Sequence, residues 1–458
     1  MVFSSLLFLF WFIPIFFAVY YLLPAKCRNT VLFIGSIVFY AWGEPKFLIL
    51  IFISILVNYL AGITMHKNPK LVLIIALLFD FAMLFVFKYT GFFISNINSI
   101  FGTTISDPGL TLPLGISFYT FQIASYVIDL YRGKIKACKN PLTLGTYLVM
   151  FPQLIAGPIV VYETVEQELK SRKITFEMVE EGIGTFILGL ASKVLIANQV
   201  GALWNDLEKI GYTKISMPLA WLGVAAFTLQ IYFDFNGYSL MAIGLGKMLG
   251  FNIPQNFNSP YVSRSLTEFW RRWHITLGAW FRDYIYIPLG GSKKGKLRLI
   301  ISLAAVWLLT GIWHGSTFNF LLWGMSILAF ILLERFAIGG FLKKHSILAH
   351  LYVCFVIPQT WIIFAIPDIK DIGYYFQRLY PFIGKSGEFI YELDYVDALS
   401  SGWWMLAAGI LLCLPFAKKI YMKHQTNVIT VLVLFAVFWA SVFMIVQHGS
   451  NPFMYFAF

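Results

Sequence analysis

Twelve runs of apolar residues, separated by short polar connections, constrain this chain more than any other feature of its sequence. They lie near residues 4–23, 29–42, 46–64, 71–90, 112–130, 183–200, 216–234, 298–313, 317–334, 349–367, 403–417 and 427–446. A helix of roughly 17–25 apolar residues crosses the hydrocarbon core of a bilayer. Only 12% of the residues are charged, against about 25% in soluble domains. The sequence therefore predicts an all-α integral membrane protein, a polytopic bundle of about 11–12 transmembrane helices.

Two further apolar segments, 142–160 and 255–290, are interrupted by proline, glycine and charged residues. Irregular backbone is tolerated at membrane depth only where it is packed inside protein or lines a cavity. We therefore expect re-entrant or half-membrane helices in these segments. The sequence contains no recognisable soluble domain, low-complexity tract or internal repeat, which predicts a single membrane domain over residues 1–458, with its motifs between about 112 and 335.

The basic residues are distributed unevenly among the loops between the apolar runs. With the N-terminus outside, the predicted cytoplasmic loops and their membrane edges hold 26 of the 34 lysine and arginine residues. The largest outer loop, 368–402, carries acids instead: Asp368, Asp371, Glu388, Glu392, Asp394 and Asp397. This asymmetry follows the positive-inside rule. It accounts for the formal net charge of +12, so no nucleic-acid partner is expected.

Ionisable residues also occur within the apolar runs, where a charge costs about 2.5–3.5 kcal/mol on insertion scales and therefore needs a reason. The candidates for a functional or structural role are Asp80, Lys193 and Asp234. For Asp80 and Lys193 we expect a buried pairing with a polar group on a neighbouring helix, although the sequence does not name the partners. The four cysteines are widely spaced and form no Cys-x-x-Cys pair, so no metal site is predicted.

Two stretches combine polar and aromatic residues. The first, SLTEFWRRWHITLGAWFRDYIYIPLGG (265–291), interleaves tryptophan, tyrosine and phenylalanine with Glu268, Arg271, Arg272, His274, Arg282 and Asp283. It does not divide into an apolar and a polar helix face, which favours either an interface helix anchored by tryptophans or a functional segment. The second, LTGIWHGS (309–316), ends an apolar run with His314, which is suited to accept a proton from a hydroxyl near neutral pH. A helix-end histidine bonded to a carbonyl is the alternative.

These stretches resemble the membrane-bound O-acyltransferase family, most closely its alginate O-acetyltransferase-like branch, which acetylates polysaccharides. FWRRWHITLGAWFRDYIYIPLGG (269–291) is similar to the long signature of that branch, and WHG (313–315) to the segment with the family's essential histidine. Further matches in the same order are MVFSS (1–5), SFYTFQIASYVIDLYRG (117–133), FPQLIAGPI (151–159) and FDFNGYSLMAIG (233–244). After Phe318 the resemblance rests mainly on hydrophobic helices.

The resemblance implies transfer of an acyl group from a cytoplasmic thioester to a hydroxyl, often of an extracytoplasmic acceptor. It places His314 on the family's catalytic histidine and His274 on the second histidine of the Arg-Arg-Trp-His segment. The residues that it assigns to donor or substrate binding are Asp234, Asn236, Tyr238, Gln153, Arg271, Arg272, Trp273, Arg282, Asp283 and Trp313. It implies no bound cofactor beyond the acyl donor, which is acetyl-coenzyme A or another acyl thioester.

The mechanism expected from this resemblance uses His314 as general base on an acceptor hydroxyl, which attacks the thioester carbonyl. Candidate donors to the resulting oxyanion are His274, Asn236, Tyr238 and Trp313. The expected partners are membrane lipid, a polysaccharide acceptor, an extracytoplasmic SGNH-like acetyltransferase and, as an alternative donor, an acyl carrier protein. The expected location is a bacterial inner (plasma) membrane.

The sequence is compatible with alternatives on three points. The basic run SKKGKLR (292–298) either orients the protein in the membrane or attracts an anionic donor. Within the family, the runner-up activity is D-alanyl transfer to teichoic acid from an aminoacylated carrier protein. From another class, the chain could be a transporter or flippase, which predicts inverted repeats and broken helices at matching positions in two halves. The irregular polar segments instead cluster in 230–315.

Overall fold

The structure is a computed structural model, and it describes residues 1–383, 391–449, 451, 453 and 454. Every regular element among those residues is a helix, so the predicted all-α class is confirmed. Glu388, one of the acids assigned to the outer loop, lies outside the described residues.

The described residues form twenty-one α-helices. In chain order they are α1 (Ile13–Leu22), α2 (Arg28–Ala41), α3 (Leu48–Thr64), α4 (Pro69–Phe101), α5 (Ile116–Tyr131), α6 (Pro141–Val149), α7 (Phe151–Leu154), α8 (Tyr162–Lys170), α9 (Phe176–Ala191), α10 (Asn198–Ile210), α11 (Met217–Met248), α12 (Leu266–Arg272), α13 (Ile275–Phe281), α14 (Gly295–His314), α15 (Phe318–Leu333), α16 (Gly339–Lys344), α17 (Ser346–Ala365), α18 (Ile369–Leu379), α19 (Asp394–Leu412), α20 (Pro415–His424) and α21 (Val428–His448). The same part of the chain has π-helical segments at Phe8–Phe12, Ser192–Ala197, Arg282–Tyr286 and Glu334–Ile338. Such segments are uncommon and occur frequently at functional sites.

Eight helical stretches in the described part of the chain are long and apolar enough to cross a membrane. They are Pro45–Thr64, Pro69–Phe101, Phe176–Ile210, Met217–Met248, Gly295–His314, Phe318–Lys344, Ser346–Ala365 and Val428–His448. Each coincides with one of the predicted apolar runs. The multi-pass membrane prediction is therefore confirmed.

The other four predicted runs form shorter or bent helices. α2 has 14 residues and α5 has 16, and at about 1.5 Å per residue neither reaches the ~30 Å of a hydrocarbon core. The run at 4–23 is helical over Phe8–Leu22. α19 is bent by 67° between Ser400 and Gly402, and counting it as one span raises the number within the described residues to nine. A count of 11–12 crossings stays a prediction.

The two interrupted segments fold into short helices. The 142–160 segment contains most of α6, with nine residues, and all of α7, with four. The 255–290 segment contains α12 and α13, with seven residues each, followed by a π-helical segment. The predicted breaks are therefore present, while a re-entrant position in the membrane stays a prediction.

The chain divides into two compact units. The first comprises Met1–Leu188 and Tyr238–Gln255 with the end of α21, and the second Gly189–Gly237 with the described residues of Asn256–Met444. The prediction of one membrane domain is not tested by this division.

Each unit contains one of the expected buried polar pairs. In the first unit, Asp80 Oδ1 accepts a hydrogen bond from Asn58 Nδ2 at 2.9 Å, and both side chains are fully buried. In the second unit, Lys193 of the π-helical segment Ser192–Ala197 forms a buried ion pair with Asp234 of α11. Asp80 and Lys193 thus each have a polar partner on another helix. Such a partner is expected because an unpaired charge in an apolar run is energetically costly.

Candidate active site

The stretch of polar and aromatic residues at 265–291 begins with a capped helix. Ser265 is the N-cap of α12, and its hydroxyl accepts a hydrogen bond from the Glu268 backbone amide at 3.0 Å. This Ser-x-x-Glu spacing is typical of a helix start. A second amide of the first turn, that of Leu266, donates to the buried carboxylate of Glu334 at 2.6 Å. The start of α12 is therefore tied to the π-helical segment that follows α15.

His274 lies at the sharp turn between α12 and α13. Its φ angle is +44°, a left-handed conformation that costs a residue with a side chain roughly 1–2 kcal/mol. Asn256 stabilises the turn, because its backbone oxygen accepts from the Ile275 amide at 2.9 Å and its Oδ1 accepts from the Thr276 hydroxyl at 2.9 Å. Asn256 Oδ1 also lies 3.1 Å from His274 Nδ1.

The imidazole of His274 is almost completely enclosed, with 3% of its surface exposed. Its ring packs edge-on against Phe235, with 4.6 Å between the ring centres. The residue lies between the membrane-spanning helices α11 and α14, outside both. Burial lowers the pKa of His274 to about 3, so the ring is neutral near pH 7.

His314 is the last residue of α14, and it is 5% exposed. Three aromatic rings surround its imidazole edge-on, those of Trp313 and Trp323 at 5.0 Å and that of Phe364 at 5.1 Å between ring centres. The histidine predicted to be the general base is therefore held in an aromatic enclosure that contains side chains from α14, α15 and α17.

Glycines on α14 and α15 allow this enclosure to form. A Cβ atom on Gly311 would lie 2.5 Å from the backbone oxygen of Phe320, and a Cβ on Gly324 would overlap the backbone oxygen of Trp307. Only residues without a Cβ permit such close backbone approach. The close contact of the two helices brings Trp323 against His314.

His274 and His314 line one cavity of about 390 Å³. Trp270, Trp307 and Trp323 form much of its apolar wall. The cavity therefore brings together five of the residues that the sequence assigned to the site, which are Arg271, Trp273, His274, Arg282 and His314. None of the described residues that line it is an aspartate or glutamate.

Three exposed arginines also line this cavity: Arg271, Arg282 and Arg335. Two of them, Arg282 and Arg335, belong to the π-helical segments Arg282–Tyr286 and Glu334–Ile338. Arg282 pairs with Asp283 through two hydrogen bonds of 2.7 and 2.8 Å, and this pairing raises the pKa of Arg282. Guanidinium groups bind phosphate and carboxylate well, so this part of the cavity suits an anionic ligand.

Other predicted residues of the second unit lie outside the cavity lining. Asp234 is occupied by its ion pair with Lys193, and Arg272 forms an ion pair with Glu268 at 2.9 Å. Asn236 is half-buried on α11, two residues after Asp234. Their assignment to donor or substrate binding stays a prediction.

Two predicted residues belong to the first unit. Gln153 is fully buried, and its Nε2 donates to the backbone oxygen of Tyr147 at 2.7 Å. Tyr238 stacks between the rings of Phe3, at 4.7 Å, and Phe453, at 4.9 Å. Both side chains have structural contacts in that unit, and their part in binding stays a prediction.

Several residues of the site carry no signal that sequence reasoning could have used. Asn256 precedes His274 by 18 positions, outside any helix that the two would share. Trp307 and Trp323 lie in apolar runs, where a tryptophan is unremarkable. Arg335 follows such a run and is indistinguishable from a topogenic charge. Among the described residues, no group of three or more His, Cys, Asp or Glu side chains is arranged to hold a metal ion.

Comparison with known proteins gives one family. Residues 138–367 match the model of the membrane-bound O-acyltransferase (MBOAT) family. The probable alginate O-acetylase AlgI of Pseudomonas aeruginosa is 37% identical over 393 residues, covering 83% of this chain and 75% of that protein. The peptidoglycan O-acetyltransferase of Helicobacter pylori is 33% identical, covering 81% and 78%. The teichoic acid D-alanyltransferase of Bacillus subtilis is 28% identical and covers 46% and 56%.

Proposed function

Because this chain belongs to the membrane-bound O-acyltransferase family and is an acyltransferase, we propose that it transfers acetyl groups from acetyl-coenzyme A to the hydroxyls of an extracytoplasmic polysaccharide. The observation that carries this proposal is the cavity that joins His314 and His274 to three arginines. An acyl thioester with phosphate groups has chemistry that matches both parts of that cavity.

The chemistry that the cavity supports is a direct acyl transfer. An acceptor hydroxyl gives its proton to His314 as its oxygen attacks the thioester carbonyl carbon. The carbon–sulfur bond then breaks, and His314 returns the proton to the sulfur, which leaves as a free thiol. Proton transfer by a positioned base contributes typically about 10²–10⁴-fold, and the rest of the acceleration comes from positioning and from stabilising the oxyanion.

The proposed donor is acetylated rather than aminoacylated. A D-alanyl group carries an ammonium, which inside a protein needs a carboxylate or several acceptors nearby. The described lining of the cavity contains no carboxylate. Relatives named O-acetylase also match far more of this chain than the D-alanyltransferase does. The transporter alternative loses its support, because the family is one of acyltransferases.

The proposed acceptor is a glycan. The relatives that match most of the chain are named for alginate and for peptidoglycan, both polymers with sugar hydroxyls. We further propose location in the inner membrane and completion of the transfer by an extracytoplasmic SGNH-like acetyltransferase. A carrier protein in place of coenzyme A is the alternative donor, since its phosphopantetheine arm is also an anionic thioester.

The experiment uses the purified chain in lipid vesicles with radiolabelled acetyl-coenzyme A, with and without a purified SGNH-like acetyltransferase, and follows the label that appears in added glycan. His314→Ala should lower transfer by at least about 10²-fold. His66→Ala is the matched control, because His66 is exposed and its ring makes a hydrogen-bond contact with the nearby backbone oxygen of Ile63. Equal transfer by wild type and His314→Ala would remove His314 from the chemistry. If the wild type transfers no label from acetyl-coenzyme A to any glycan but does transfer acyl groups from an acylated carrier protein, the carrier protein and not acetyl-coenzyme A is the donor.

A further inference from the structure

Two indole N–H groups on the cavity wall have no hydrogen-bond partner among the described residues. They belong to Trp270 and Trp323, and both nitrogens are buried. Leaving a buried donor unsatisfied destabilises the folded protein, and native proteins contain few such groups, each of which calls for an explanation. These two donors therefore point to a ligand atom that accepts hydrogen bonds inside the cavity.

The two tryptophans are close to each other and to the proposed base. The ring of Trp323 lies 5.0 Å from that of His314, and the rings of Trp270 and Trp323 lie 5.7 Å apart at an angle of 81°. A third tryptophan of the same aromatic cluster, Trp361, behaves differently. Its indole N–H donates to the Tyr261 hydroxyl at 3.2 Å, so the missing partners are a property of the cavity wall and not of the whole cluster.

We propose that the indole N–H groups of Trp270 and Trp323 bind the carbonyl oxygen of the acyl donor and hold the oxyanion formed when a hydroxyl attacks. This inference rests on the proposed acyl transfer. As the new carbon–oxygen bond forms, the carbonyl π pair moves onto the oxygen, and the two N–H groups donate to it. When the carbon–sulfur bond breaks, the pair returns to the carbonyl, and the proton held by His314 passes to the sulfur. Donors preset for this charge are worth more in a water-poor cavity than in solution.

The test compares Trp323→Phe and Trp270→Phe, which keep an aromatic ring and remove the N–H, with Trp361→Phe. Removing one oxyanion donor costs roughly 10²–10³-fold in kcat, so the first two variants should lose that much. Trp361→Phe should change kcat less than about threefold but lower the unfolding temperature, because it breaks a hydrogen bond that exists in the folded protein. The order of the variants in activity should thus differ from their order in stability.

A kcat within threefold of wild type for Trp323→Phe or Trp270→Phe overturns the assignment of that residue. Near-equal loss in all three variants also overturns it, since the loss would then reflect packing. If the wild type itself transfers no acetyl group even when the SGNH-like acetyltransferase is present, the proposed function fails instead, and the two failures are distinguishable.

A second inference concerns His274 and is carried by Asn256. Asn256 Oδ1 accepts from the Thr276 amide at 3.3 Å and from the Thr276 hydroxyl at 2.9 Å, which identifies it as the amide oxygen. An oxygen can only accept, so the Nδ1 atom of His274, 3.1 Å away, carries the proton. In the neutral ring, Nε2 then has a lone pair and no proton. That nitrogen is buried and has no partner among the described residues.

The geometry assigns Asn256 as a positioning residue that makes His274 a hydrogen-bond acceptor in the cavity. In this tautomer His274 does not donate to an oxyanion. Its Nε2 instead accepts from a substrate N–H or O–H, such as the acceptor hydroxyl or an amide of the donor's pantetheine arm. This inference also rests on the proposed function for the identity of the ligand, but the tautomer does not depend on it.

The tautomer is measured by nitrogen NMR of the histidine-labelled protein in bilayers. The chain has seven histidines, and the His274 signals are identified by their loss in His274→Gln. In the wild type, Nδ1 should be protonated and Nε2 not; the reverse result overturns the inference whether or not the protein is active. Asn256→Leu should lose this preference and about tenfold in kcat, the effect expected from losing one hydrogen bond to the ring, while Asn256→Asp, which keeps an acceptor oxygen, should retain the tautomer.

Discussion

Replacing Gly311 by alanine should reduce catalysis by moving α15 relative to His314. The new Cβ would lie 2.5 Å from the backbone oxygen of Phe320 and 3.2 Å from its carbonyl carbon. Ordinary contacts of a Cβ atom begin near 3.4 Å and essentially never fall below 3.0 Å. Because the obstructing atoms are backbone, no side-chain rotation relieves the contact. The two helices must therefore separate locally by about 0.5–0.9 Å.

The separation acts on the site because Trp323 packs against His314 from α15. A misplacement of about 1 Å costs roughly 10²-fold in rate, so a shift of this size should lower kcat by about 10- to 100-fold. The assay is acetyl transfer by the purified variant in vesicles, with thermal unfolding measured in parallel.

Gly373→Ala is the matched control, because Gly373 lies within α18 and a Cβ there would meet nothing within 4 Å. It should leave kcat unchanged and slightly raise stability, since alanine is favoured over glycine in helices by about 1 kcal/mol. A Gly311→Ala protein that folds and transfers acetyl groups within twofold of wild type would refute the argument that this helix contact sets the geometry at His314.

Three further variants test other parts of the structure. Lys193→Met should destabilise the protein by about 3–5 kcal/mol, because it leaves the buried carboxylate of Asp234 without its cation. In thermal unfolding, the double variant Lys193→Met with Asp234→Leu should recover most of that loss of stability, and strictly additive losses would contradict the pairing. Arg335→Ala should raise the KM for acetyl-coenzyme A several-fold with little change in kcat, and the increase in KM should become smaller at high salt. Lys343→Ala removes a charge outside the cavity lining and should leave KM unchanged; equal increases in KM would assign the effect to net charge. Trp307→Ala removes a large side chain from the cavity wall and so enlarges the cavity, which should raise the rate of transfer from butyryl-coenzyme A relative to that from acetyl-coenzyme A. An unchanged ratio of the two rates would show that Trp307 does not limit the length of the acyl group.

Much of the architecture could be predicted from the sequence because lipid imposes a simple rule on it. A spanning segment must satisfy its own backbone hydrogen bonds and present apolar side chains, so the described part of the chain has eight membrane-length helices where the apolar runs predict them. The number of crossings is harder to predict. α2 and α5 are apolar like the others but short, and hydropathy does not distinguish a short helix packed in protein from a span in lipid.

The candidate site was only partly predictable. His274 and His314 stand out because each lies in a stretch of mixed polar and aromatic residues within or beside apolar runs, where an ionisable side chain needs a reason. Asp234 could be singled out for the same reason, yet its partner could not, since Lys193 is 41 positions away and pairs with it only in the folded chain. A buried charge needs a partner of opposite charge, but the sequence alone does not show which of several distant charged residues will be that partner.

The sequence by itself determined that this chain is a helical membrane protein, that it belongs among the O-acyltransferases, and that His274 and His314 are its candidate catalytic side chains. Those properties depend on composition, on apolar run length and on local motifs, all of which can be read along one dimension. Only the tertiary structure decided that both histidines line one cavity with Arg335, that Asn256 Oδ1 lies beside Nδ1 of His274, and that the indole donors of Trp270 and Trp323 have no partner among the described residues. Hydrogen-bond satisfaction and close packing depend on which distant segments meet, and that is fixed by the folded chain as a whole.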